Sequence, residues 1–143
     1  MSIKEFDQTM SQGFRKLANK GCEKQAADLI ELYIEKNNST DINQRWHVAQ
    51  LRGLSGDNVK AAQSARLSLR KDEGTDKNRM RWNDYVLATL AFFEGRKEDL
   101  VAYRNKVAEG KDLHFGNKQN LILLDRLIKH FGKSYKYALK DGT

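Results

Sequence analysis

The chain has 143 residues, a mass of 16.5 kDa and 26 Lys+Arg against 19 Asp+Glu, a net charge of +7. At 39% hydrophobic residues it can bury one core, the size expected of a single domain. A mean hydropathy of −0.76 with no uninterrupted apolar run of about 18 residues argues against a membrane span, and one cysteine excludes a disulfide scaffold. The first residues, Met1-Ser2-Ile3-Lys4-Glu5-Phe6-Asp7, contain no apolar stretch of the secretory kind. Together with the single Cys22, read as a small buried thiol beside a helix turn, this sets the expectation of a reducing, cytoplasmic location.

In chain order, apolar spacing predicts helices throughout and no sheet. Phe6, Met10, Phe14 and Leu17 recur at steps of 4, 4 and 3, one face of a helix that Gly21 breaks. A second helix carries Ala26, Leu29, Ile30, Tyr33 and Ile34 and ends in the polar loop Asn37 to Thr40. Asp41 is the expected N-cap of a third, which sets Ile42, Trp46, Ala49 and Gly53 on one face. Gly56-Asp57-Asn58 then turns the chain into a helix with Val59, Ala62, Ala65 and Leu69. A charged loop from about Lys71 to Lys77 separates the halves. The run Tyr85 to Phe93 is apolar nearly all round and is expected to be the central, most buried helix. Gly95 ends it, and Leu100, Tyr103, Val107 and Ala108 face inward from the next. After the loop Gly110 to Gly116 comes a helix with Leu121, Leu124, Leu127, Ile128 and Phe131, then Gly132 and a short last helix with Tyr137 and Ala138.

Catalytic chemistry is not visible. His47, His114 and His130 fall in no metal-binding spacing, and no nucleophile elbow occurs. The segment Gly110 to Lys118 approaches a phosphate loop, but its spacing is one residue too long and Asn117 replaces the lysine. The expectation is a non-enzymatic protein with no metal and no cofactor.

The strongest pattern is a repeat. Gly21, Gly56, Gly95 and Gly132 follow the first helix of each pair at intervals of 35, 39 and 37 residues. Five residues past each stands Ala26, Ala61, Leu100 or Tyr137. A helix–glycine turn–helix unit of this length resembles the tetratricopeptide repeat. Val48-Ala49 and Leu87-Ala88 occupy the positions of that family's Leu-Gly pair, whereas Gly13-Phe14 and Leu124-Asp125 in the outer units depart from it. No unit has Trp at the family's tryptophan-type position, and the terminal proline is missing from all of them. The resemblance implies one all-α domain over 1–143, a short right-handed superhelix of about seven or eight helices. Its units lie near 3–38, 41–71, 80–110 and 117–140, the last truncated.

The resemblance also implies a concave groove lined by first-helix positions. These are Asn43, Trp46, Gln50 and Gly53 in the second unit, Trp82, Tyr85, Thr89 and Phe92 in the third, and Gln119, Ile122, Arg126 and Lys129 in the fourth. Charge is uneven along the chain. Residues 1–59 are neutral, while 60–81 and 111–143 each hold seven basic and three acidic residues. Arg126, Lys129, Lys133, Lys136 and Lys140 recur at helical steps with no intervening acid, a basic stripe if the helix runs through Gly132. The expected function is therefore a protein- or peptide-binding module whose partner offers apolar anchors and an acidic flank. The alternative is a nucleic-acid-associated protein using the basic C-terminal half. Homodimerisation through the C-terminal unit is a further expectation, and no membrane partner is expected.

Overall fold

The structure, a computed structural model, describes residues 21–143. The amphipathic segment Phe6 to Leu17, and with it the first part of the unit 3–38, lies outside the described residues. Seven helices follow: α1 (Glu23–Asn37), α2 (Ile42–Leu54), α3 (Asn58–Leu67), α4 (Trp82–Phe93), α5 (Lys97–Glu109), α6 (Phe115–Lys129) and α7 (Tyr135–Leu139). Among the described residues there is no strand.

Local chemistry sets the helix starts. The Asp41 carboxylate accepts from Asn43 N at 2.8 Å to open α2, and Asp57 accepts from Lys60 N at 3.0 Å to open α3. His114 Nδ1 accepts from Gly116 N at 2.9 Å at the start of α6, and the Ser134 hydroxyl accepts from Tyr137 N at 3.1 Å at the start of α7. The four glycines of the repeat all have left-handed backbone, with φ of 77°, 89°, 72° and 90° at Gly21, Gly56, Gly95 and Gly132. A side chain is strained there, which is why the helical hairpins turn at glycine.

The helices stack largely in sequence order, α1 on α2, α2 on α3, and so on to α6 on α7. Hairpins α2–α3 and α4–α5 fall within the expected units 41–71 and 80–110. Helix α4 is the centre, with Trp82, Tyr85, Val86 and the whole run Ala88 to Phe93 buried. Beside this main core, Ala26, Ala27, Ile30 and Ile34 of α1 close on Val48 and Leu51 of α2. Two packing relations break the sequential order: α4 also meets α6, and α7 returns to α2. In the same region the Lys136 ammonium bonds the Glu23 carboxylate of α1 at 3.1 Å.

The charged loop after α3 is tied down at both ends. Asn83 bridges Arg70, accepting from its N–H at 2.8 Å and donating to its carbonyl at 2.9 Å. The Glu73 carboxylate accepts from Asn83 N at 2.8 Å and so caps α4 from across the loop. Asn117 of α6, fully buried, accepts from Arg81 N at 2.7 Å and donates to the carbonyls of Arg79 and Gly110 at 3.1 and 3.0 Å. These bonds fix the loop, the start of α4 and the α5–α6 turn against each other.

Candidate partner-binding face

The aromatic residues expected to line a groove are brought together, but in the interior. Trp46, Trp82, Tyr85, Thr89 and Phe92 are all buried, none more than 6% exposed. Trp46 meets Trp82 edge-to-face at 5.5 Å and Tyr85 at 5.3 Å, both favourable aromatic geometries. The Trp82 indole donates to Ser68 O at 2.8 Å, and the Thr89 hydroxyl donates to Tyr85 O within the helix at 3.0 Å. Phe92 lies 6.1 Å from Phe131 and 6.2 Å from Tyr135. Burial pushes the Tyr85 phenol well above its ordinary pKa. The open aromatic groove is therefore corrected: these rings are core.

Besides the packing of these rings on one another, one cause is the return of α7. Its Tyr135, 1% exposed, packs on Phe93 at 4.9 Å, and its hydroxyl bonds the side chain of Gln50, another of the expected groove residues. Gly53, also expected in the groove, lies so close to the Tyr135 and Phe93 rings that a Cβ there would stand 2.8 and 2.7 Å from them. Gln50, Gly53, Phe92 and Phe93 on the inward sides of α2 and α4 are covered by the chain's own last helix, while Trp46 and Trp82 are packed on each other and on Tyr85.

The basic stripe is corrected as well. Helix α6 ends at Lys129, and the left-handed Gly132 redirects the chain, so Arg126 and Lys129 lie on one helix, Lys136 and the flanking Lys140 on another, and Lys133 in the turn. Acids that stand outside the stripe pair with it: Asp141, just past Lys140, and the distant Glu23. Asp141 bonds Lys129 Nζ at 3.2 Å and His130 Nε2 at 2.8 Å, and these two partners hold its carboxyl below the usual range. Glu23 pairs with Lys136; burial pushes its carboxyl up, but its own backbone N–H and Lys136 outweigh that and hold it low. Arg126 donates through Nη1 to Leu139 O at 2.9 Å.

What stays open is the outer face of α6 and the turn before it. Phe115 is 71% exposed, Ile122 52% and Leu113 45%, while Lys118, Gln119 and Lys129 are also exposed. Arg126, Lys129 and Ile122 were legible as fourth-unit groove positions. Phe115 was not, because the segment up to Gly116 read as loop, whereas His114 caps a helix that already contains Phe115. Among the described residues no cluster of three or more His, Cys, Asp and Glu side chains is arranged to hold a metal ion, and no helix is long and apolar enough to cross a membrane. No protein-family model, curated protein or solved structure matches the chain.

Proposed function

We propose that this chain is a non-enzymatic interaction module of the tetratricopeptide-like kind that binds a segment of another protein. One observation carries the reading. The inner aromatics are engaged by the chain itself, yet Leu113, Phe115 and Ile122 remain in solvent within one of the two stretches that hold the excess of positive charge. Exposed apolar side chains rimmed by charge are the composition of a protein-binding surface. The glycine-turned hairpins at intervals of 35, 39 and 37 residues add support by analogy with repeat scaffolds. Such a partner supplies apolar anchors and an acidic flank.

The test compares immobilised acidic amphipathic peptides with single- and double-stranded oligonucleotides at low and at 0.3 M salt. The reading expects peptide binding that survives the higher salt. Binding confined to oligonucleotides, with a steep loss as salt rises, would contradict it and favour the nucleic-acid alternative.

A further inference from the structure

We infer that the outward face of α6 receives an acidic amphipathic helix from another protein, an inference that rests on the interaction-module reading above. At about 100° of rotation per residue, Phe115, Lys118, Gln119, Ile122, Arg126 and Lys129 lie within about 60° of one direction on the helix. The face therefore combines two exposed apolar side chains, 71% and 52% in solvent, with the exposed cations Lys118 and Lys129 and no acid; Arg126, half-buried, is turned to Leu139 O. Asp125 borders it, but Arg104 of α5 holds that carboxylate through Nε at 2.7 Å and Nη2 at 3.3 Å. Lys129 is held by Asp141 in a solvent-exposed pair, the kind that contributes little and exchanges readily for another carboxylate.

Among the described residues, the other exposed apolar side chains do not form such a face. Val59 and Leu67 on α3 are eight residues apart and diverge by about 80° around the helix. Leu29 and Leu32 on α1, three residues apart and 40% and 47% exposed, are flanked by the acids Asp28 and Glu35. Among the described helices, only on α6 do two exposed apolar residues seven apart stand in line, about 10 Å along the axis by the helical rise. That spacing matches the apolar stripe of a helix laid alongside, which repeats every two turns.

Charge decides the occupant. In a second copy packed antiparallel about a two-fold axis, Phe115 would meet Ile122, and Lys118, midway between them, would meet its own symmetry mate; like charges oppose that arrangement. A nucleic-acid backbone would set phosphates over Phe115 and Ile122, while Arg126 is turned aside to Leu139 O. A helix with leucines seven residues apart and glutamates beside them satisfies both halves of the face.

The experiment measures fluorescence anisotropy with an 18-residue helix-stabilised peptide bearing two leucines seven apart on a glutamate-rich face. A lysine-for-glutamate version and a 20-nucleotide oligothymidine serve as comparators. The full chain should bind the glutamate peptide at least tenfold more tightly than the lysine peptide. Phe115→Ser with Ile122→Ser should weaken binding at least tenfold, and Val59→Ser should leave it unchanged. Lys118→Glu should weaken the glutamate peptide and strengthen the lysine peptide, a reversal that unfolding cannot produce. Equal affinity for wild type and the Phe115/Ile122 double variant overturns the α6 face while leaving the module reading standing. Binding of the oligonucleotide and neither peptide overturns both. Failure of wild type to bind any of the three overturns the inferred partner chemistry.

Discussion

Tyr135 and Gly53 are in contact across the fold: a Cβ built on Gly53 would stand 2.8 Å from Tyr135 Cδ2 and 2.7 Å from Phe93 Cε1. This contact seats α7 on α2 and closes the face that the repeat pattern predicts to be open. In an exposed helix, glycine to alanine gains about 1 kcal/mol. Here two rings must shift at once, and overpacking of that kind costs about 1–3 kcal/mol. Gly53→Ala is therefore expected to lower the melting temperature by a few degrees, about 3–5 °C. A double-mutant cycle with Tyr135→Leu should show that much of the loss disappears when the tyrosine is removed.

Both tryptophans should behave as interior residues. Trp46 and Trp82 are 5% and 6% exposed, so their emission should be blue-shifted and resist acrylamide quenching. Trp46→Ala should cost about 3–5 kcal/mol, a core truncation rather than the loss of a binding contact. An exposed, readily quenched indole would contradict the closed interior.

Asn117 joins three segments through one buried amide. Asn117→Ala leaves Arg81 N, Arg79 O and Gly110 O without that partner, at an expected cost of about 2–4 kcal/mol. Asn117→Asp keeps an acceptor for Arg81 N but sets a carboxylate against two carbonyl oxygens, so it should be the more damaging of the two. Chemical denaturation of the three proteins checks the order.

Alkaline pH tests the same interior from another side. Burial raises the phenol pKa of Tyr85 and of Tyr135, with the neighbouring Tyr85 adding to the second. A raised folded-state value means that the stability from keeping these phenols neutral is fully present below the unfolded value near 10, and is lost as pH rises above it. Of the five tyrosines in the chain, these two should not ionise until the protein unfolds. A 295 nm absorbance titration followed alongside circular dichroism reads this directly. Ionisation of all five with full helicity retained would contradict the burial of α7.

The helices and their turns were legible because the signals are local. Glycines at 21, 56, 95 and 132 announce left-handed turns, Asp41 announces its cap, and the run from Tyr85 to Phe93 announces the central helix. The groove was misread because what fills it is non-local. Nothing near Trp46 or Trp82 in sequence indicates that Tyr135 will return to Gly53. Likewise, nothing near Lys136 indicates that Glu23, 113 residues away, will face it, and it is the turn at Gly132 that brings Asp141 back to Lys129. A glycine inside a helix opposite aromatic residues was the one available hint of close approach, and Gly53 is such a residue. Phe115 was hidden by Gly116, which weakens the helical pattern where α6 begins.

The most direct test of the account is a two-dimensional proton–nitrogen NMR spectrum of the labelled chain titrated with the glutamate peptide. Backbone amides between Phe115 and Lys129 should shift progressively, with the two tryptophan indole N–H signals, from side chains closed inside the fold, staying in place. Shifts of the Trp46 and Trp82 indole signals without changes along α6 would show that a partner enters the aromatic interior and would contradict the account.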